Sequence, residues 1–235
     1  MSRLSTAPKD GHARRAKETS DRILAAADEI LAARGYRAAR VEQIAARAQV
    51  APASVYNHFG SKAGVSRALA DRALASHEIY VAPTWSLDVT PLLRLIAAGG
   101  ATLRFAAEEP SAFRTMAMAY LDPGDDPLPA AAAARIGERI GLQRRRLAAG
   151  IEAAAAEGEL RELDVAGTVE FLLGAWTGVI LMGMRPQVSA ATRRTLAVGL
   201  RALVAGLAGP RALTADGALR RRYLRAIDEA IASGP

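Results

Sequence analysis

The most constraining feature of this chain is the close punctuation of residues 19–62. Ile23, Leu24, Ala27, Ile30 and Leu31 share one face of a helix over 19–34. Thr19 can cap its start, and Gly35 stands where a left-handed C-cap is expected. A short helix follows at about 40–47, with Val41, Ile44, Ala45 and Ala48 apolar, and a break falls around Ala48–Ala51. Pro52 suits the first position of the next short helix, because its missing N–H is no loss there. That helix runs to about His58, Gly60 ends it, and Ser61 caps a fourth helix reaching about His77. Helices this short must bury their apolar faces against one another. The spacing therefore predicts a helix, turn, short helix, tight turn, short helix arrangement.

The rest of the chain is patterned in the same way. Tyr80–Thr90 contains Pro83 and reads as a linker. Helical periodicity continues over about 91–108, 111–121, 130–158, 164–184, 189–208 and 215–232. Pro110, the loop 122–129, Gly158, Pro186, Gly209 and Pro210 separate these segments. Alanine is abundant, Val, Ile and Thr are sparse, and no segment alternates like a strand or repeats. The expected fold is all-α, with a flexible basic arm over 1–16, a helix-turn-helix unit over 17–78 and a helical body over 79–235.

Composition narrows the function. With no cysteine, disulfide scaffolds, thiolate metal sites and cysteine nucleophiles are excluded. Residues 1–16 are polar and basic, with no apolar core of a secretory signal. There is no G-x-S-x-G, Walker A, Rossmann glycine pattern or H-E-x-x-H, and His12, His58 and His77 lack metal-ligand spacing. Neither catalysis, a cofactor nor a metal is expected. Of the net charge of +7, residues 1–62 carry 11 Lys/Arg against 6 Asp/Glu, so the excess lies mostly in the first quarter. Such a local excess suits a polyanion, either nucleic acid or an anionic membrane surface.

The helix-turn-helix reading assigns the residues of this segment. Ile44, Ala45, Val50 and Val55 supply packing between its two helices. Ala53, Ser54 and Asn57 would face a major groove: Asn pairs with adenine, Ser bonds either partner, and Ala touches a thymine methyl. Tyr56 and His58 would flank the groove and reach phosphates. Gly60-Ser61-Lys62 would form a phosphate clamp at a helix N-terminus, and Arg40 could hold the opposite strand. The arm residues Arg3, Lys9, Arg14, Arg15 and Lys17 are either a solvated tail or a second contact to DNA.

Gly35-Tyr36, Val41, Ile44-Ala45, Val50, Ser54-Val55-Tyr56-Asn57-His58-Phe59 and Ser61-Lys62 resemble the N-terminal domain of the TetR family of bacterial regulators. The resemblance spans about 55 residues; beyond Ala70 the likeness is only an all-helical body of suitable length. It implies a homodimer on double-stranded DNA with a pseudo-palindromic operator. It further implies a cytoplasmic repressor whose C-terminal cavity takes a small-molecule effector. By the same resemblance Tyr56, His58 and Lys62 are backbone contacts, and Ala53, Ser54 and Asn57 face the groove. Two positions depart from the family pattern. Gln49 stands where glycine is usual, costing about 1 kcal/mol if the backbone there is left-handed. Ala51 stands where a hydroxyl cap is usual, forfeiting about another 1 kcal/mol.

Two further signals lie in the body. Residues 165–184 are nearly apolar and contain Gly174-x-x-x-Gly178, which suits either a membrane span or a helix packed against a second copy. Glu170 inside the stretch and the want of a second span favour the soluble reading. Phe105, Phe113, Met116, Tyr120, Phe171 and Trp176 are large soft groups that could line an apolar effector pocket, or be ordinary core. The remaining alternatives are an architectural protein coating DNA without sequence preference and a membrane-associated helical protein.

Overall fold

The computed structural model describes residues 8–121, 130–184 and 187–232. The expected loop over 122–129, Pro186, Arg3 and the Lys9 side chain lie outside them. The described helices are α1 (Pro8–Ala38), α2 (Val41–Ala48), α3 (Pro52–Phe59), α4 (Lys62–Val81), α5 (Pro91–Glu108), α6 (Pro110–Leu121), α7 (Ala130–Ala156), α8 (Val165–Gly183), α9 (Ala190–Leu207) and α10 (Arg221–Ala232). Among the described residues there are isolated bridges but no strands.

Four boundaries differ from expectation, each for a local reason. α1 begins at Pro8, so residues 8–16, expected in a flexible arm, continue the helix. They are rich in good helix formers behind a proline in the first turn, and Arg14 Nε reaches Glu18 Oε1 at 3.1 Å one turn on. Gly35 sits at φ 73°, ψ 164°, so the helix kinks at the expected stop and resumes as far as Ala38. α4 continues to Val81 and a 3₁₀ turn over Ala82–Ser86, which takes up much of the expected linker. α10 starts at Arg221 instead of about 215. The preceding residues fold into a turn in which the Thr214 N–H donates to the Ala218 carbonyl at 2.8 Å.

Two buried clusters organise the chain. The first gathers Ile23, Leu24 and Ala27 of α1, Ile44 and Ala45 of α2, Val55 of α3, and Val65 and Leu69 of α4. The second begins at Ala73 and Leu74 of the same α4 and takes in Phe105, Phe113, Ile151, Ile180 and Tyr223. α4 therefore belongs to both. A side-chain bond adds to that link, Ser111 Oγ of α6 donating to Asp28 Oδ1 of α1 at 2.6 Å.

One buried carboxylate fixes the floor of the larger unit. Glu159 is 1% exposed. Its Oε2 accepts the Leu92 N–H at 2.9 Å, and its Oε1 accepts the Tyr223 hydroxyl. Thr90, the residue before α5, makes no cap with its own side chain. Glu159 supplies that cap from elsewhere in the chain, placing a negative charge at the positive end of the helix.

Candidate nucleic-acid interface and ligand cavity

The N-terminal site is built on a turn. After α2 the Gln49 N–H donates to the Ala46 carbonyl at 3.1 Å, and the Val50 N–H to the Ala45 carbonyl at 3.0 Å. These paired bonds form a Schellman motif. It requires a left-handed residue between them, and Gln49 adopts φ 56°, ψ 47°. Val50 follows and packs against the head's core. α3 then starts at Pro52 with no side-chain cap from Ala51. The Arg40 N–H at the other end of α2 donates to Gln43 Oε1 at 3.2 Å.

This geometry sorts α3 into two faces. Val55 is fully buried against α1, α2 and α4, so the neighbouring positions must turn outward. Ala53, Tyr56, Asn57 and His58 are exposed, Ser54 is half-buried, and Arg40 is exposed at the start of α2. An outward-facing Asn, Ser, Tyr and His on one short helix can offer hydrogen bonds to base edges and phosphates without unfolding anything. Arg47 was not among the expected residues. Its guanidinium makes two bonds to the Glu29 carboxylate, at 2.7 and 3.0 Å, tying α2 to α1. Both side chains are more than half exposed, so the pair orients the helices more than it stabilises them.

The α3–α4 corner differs from the simple clamp expected of Gly60-Ser61-Lys62. Ser61 does cap α4, its Oγ accepting the Gly64 N–H at 3.0 Å. Gly64 is needed for the close crossing, since a Cβ there would stand 1.8 Å from the Phe59 carbonyl oxygen. Lys62, however, folds back towards α1. Its ammonium donates to the carbonyls of Tyr36 at 2.9 Å and Ala39 at 3.0 Å, and lies 4.4 Å from the Tyr36 ring centroid. These carbonyls belong to the end of α1, where helix geometry leaves acceptors without partners. Two of the three ammonium hydrogens are thus engaged within the protein.

The second site is a cavity of about 140 Å³ between α4, α5, α6, α7, α8 and α9. Of the residues expected to line a pocket, Met116, Tyr120 and Trp176 do so. Phe105 and Phe113 do not: both are fully buried in the core, with ring centroids 6.3 Å apart. Phe171 lies on the outer face of α8, 60% exposed. Helical spacing identifies an apolar face, but whether it meets another side chain or an empty space depends on neighbours far away in sequence.

The polar part of the cavity wall was not anticipated. The Tyr120 hydroxyl donates to Gln143 Oε1. Gln143 Nε2 lies 2.6 Å from His77 Nδ1, His77 Nε2 lies 2.9 Å from Thr102 Oγ1, and the Thr102 hydroxyl donates to the Ala98 carbonyl at 3.0 Å. The two ends set the direction of the whole relay. A peptide carbonyl only accepts, so Thr102 donates to it and accepts from His77, which must carry its proton on Nε2. Nδ1 then accepts from Gln143, whose oxygen accepts from Tyr120. Burial lowers the His77 pKa to about 4, keeping the ring neutral, and raises that of Tyr120. A His and a Thr on the apolar faces of α4 and α5 were the available sequence signals. Among the described residues no cluster of His, Asp and Glu is placed to hold a metal ion.

Known proteins match both halves of this description. The sequence pattern of the bacterial regulatory proteins of the tetR family matches residues 23–69. An HTH-type transcriptional regulator of Mycobacterium bovis is 33% identical over 157 residues, 65% of this chain and 68% of the relative. A regulator of Mycobacterium tuberculosis matches to the same extent. Among solved structures, a gamma-butyrolactone receptor (ArpA-like protein) superposes with a TM-score of 0.68 at 19% identity, over 92% of this chain and 98% of that one. The TetR family protein CprB of S. coelicolor A3(2) gives a TM-score of 0.68 at 19% identity, over 92% and 99%. These structural likenesses support the fold. The α2–turn–α3 head with its helical body, the matched pattern and the sequence relatives together show that the chain belongs to the TetR family of bacterial transcriptional regulators.

Proposed function

We propose that this regulator is a repressor that binds a pseudo-palindromic operator as a homodimer and leaves it when a small molecule fills the cavity. The observation that carries this reading is the span of α4. One end holds Ser61 and Lys62 against the head, and the other brings His77 and Val81 to the cavity wall. A ligand that repositions the cavity end of α4 acts on the head through a single rigid element. About 1.4 kcal/mol of ligand preference for the non-binding arrangement lowers DNA affinity tenfold. In this reading the DNA-binding head and the effector-binding body divide along α4, near the expected boundary at 78. Ala53, Ser54 and Asn57 read bases, while Arg40, Tyr56, His58 and Lys62 hold phosphates. An operator-binding role places the protein in the cytoplasm.

The second copy has a matching surface. Phe171 and Met182 of α8 are 60% and 80% exposed, and Val198 of α9 is 67% exposed. Between them Gly174 and Gly178 leave the backbone open to close approach. Val165–Gly183 is long and apolar enough to cross a membrane, with a mean hydropathy of 1.7. Yet Glu170 on this helix pairs with Arg144 of α7 at 2.7 Å, and α9 beside it carries exposed Arg194 and Arg201. A protein partner tolerates these charges at its rim far better than hydrocarbon does. α8 and α9 are therefore assigned to pairing across a two-fold axis.

The experiment is selection of bound sequences from a random duplex pool by the purified full-length chain. An inverted repeat with half-sites about 34–36 Å apart, or more, is the expected outcome. Binding without an enriched motif would replace this reading with a sequence-independent architectural one.

A further inference from the structure

The walls of the cavity specify a chemical class of effector, an inference that rests on the cavity being the effector site. Most of the lining is hydrocarbon, with Leu92, Leu95, Ile96, Leu147, Ile151 and Leu172 among the contributors. Among the described residues, the only acidic and cationic side chains there, Glu78 and Arg146, are bonded to each other. Neither is left to compensate a charge brought in by a ligand. Placing an ion against such a wall costs its hydration with nothing in return.

The relay is a buried polar cluster on this wall that keeps both a donor and an acceptor to spare. Gln143 Nε2 carries two hydrogens, and His77 Nδ1 takes one of them. The second has no partner among the described residues. Tyr120 spends its proton on Gln143, which leaves its oxygen lone pairs as acceptors. The relay thus offers one N–H donor and a neighbouring acceptor side by side on a mostly hydrocarbon wall, whose other polar contributors include the Trp85 indole and the Thr168 and Thr177 hydroxyls. We infer that the effector is an uncharged, mainly hydrocarbon molecule with a single oxygen head, a ketone, ester or alcohol, whose oxygen accepts from Gln143. An alcohol head can also donate to Tyr120. Thr102, His77 and the Ala98 carbonyl are positioning groups: they hold the Gln143 amide in the one orientation that points an N–H at the ligand.

The chain contains its own reporter. Its two tryptophans, Trp85 and Trp176, both line this cavity, so intrinsic fluorescence reads occupancy directly. The test titrates the full-length protein near neutral pH with an eight-carbon series: octan-2-one, octan-1-ol, octane, octanoate and octylammonium. The ketone and the alcohol are expected to shift tryptophan emission with apparent Kd values about tenfold or more below those of either ion and of octane. In Gln143→Met, which keeps side-chain length, the advantage of the ketone over octane should vanish while octane still registers. Octanoate or octylammonium binding as tightly as the ketone would overturn the inference, as would a ketone advantage that survives Gln143→Met. If no member of the series shifts the emission, the cavity is not a ligand site and both this inference and the effector reading fall. If the ketone binds but leaves operator affinity unchanged, only the release mechanism falls and the ligand class stands.

Discussion

Replacing Lys62 by Met separates two roles that coincide in one side chain. In the DNA-free chain the ammonium bonds to the Tyr36 and Ala39 carbonyls at 2.9 and 3.0 Å and sits over the Tyr36 ring. A charged hydrogen bond contributes about 1.5–3 kcal/mol when shielded from water. The bond to Tyr36 is exposed and that to Ala39 only part-buried, so about 1 kcal/mol each is a fair allowance. The cation–π contact adds about 0.5 kcal/mol. Holding a lysine in one conformation costs about 1 kcal/mol or more in rotamer entropy. The net is a loss of about 1.5 kcal/mol for Lys62→Met, expected in urea unfolding followed by far-ultraviolet circular dichroism at matched chain concentration. The third ammonium hydrogen remains for a phosphate, so with one Lys62 from each chain of the dimer the slope of log K against log salt for operator binding should flatten by about 1.8, about 0.9 per chain. A stability change within the roughly 0.5 kcal/mol of an ordinary surface substitution would refute the bracing of α1. An unchanged salt slope would independently refute the phosphate contact.

Gln49→Gly should stabilise the head by about 0.5 kcal/mol. Relief of the left-handed backbone, about 1–2 kcal/mol, outweighs glycine's added unfolded entropy, and a lower urea midpoint would contradict this. His77 has a pKa of about 4 when folded against 6.5 when free, so the unfolded chain binds its proton first. Its stabilising contribution is complete above pH 6.5 and is lost as pH falls towards 4, about 3 kcal/mol in all. His77→Gln should lack that part of the pH dependence; an identical profile would show that the ring does not titrate as described. Asn57→Ala should change which bases are preferred at one operator position, and an unaltered preference would remove Asn57 from base readout. Met182→Glu should give a monomer by sedimentation with its helical content intact; a persistent dimer would exclude the α8 face from the interface.

What the sequence reveals here depends on how far apart the cooperating groups lie. Caps and turns are settled within a few residues. Pro52, Gly60 and Ser61 accordingly mark the ends of α3 and the start of α4, and the Gln49 departure from glycine points to a position that is left-handed in the structure. The direction taken by Lys62 was not legible, because its acceptors sit 23 and 26 residues earlier, at the end of another helix. The same holds for His77 and Gln143, which meet across 66 residues. Phe105 and Met116 look alike to a periodicity argument. One packs against the Phe113 ring and the other, equally buried, lines the cavity because of where six helices cross. The helical extension before residue 19 escapes a reading based on apolar periodicity, since residues 11–18 are exposed and have only their propensity to mark them.

The open face of α8 and α9 carries a consequence for dosage. If two chains must meet there before two heads can grip one operator, occupancy of DNA in dilute conditions rises with the square of chain concentration. A modest fall in the amount of protein then releases the operator more sharply than a single-chain binder would. In such a dimer the glycines at 174 and 178 and the bare Phe171 and Met182 would set where that steep range lies, since their burial against a second copy would fix its dissociation constant. Under the proposed dimer, a substitution on this face, far from α3, would shift the threshold for operator occupancy while leaving every base contact as it was.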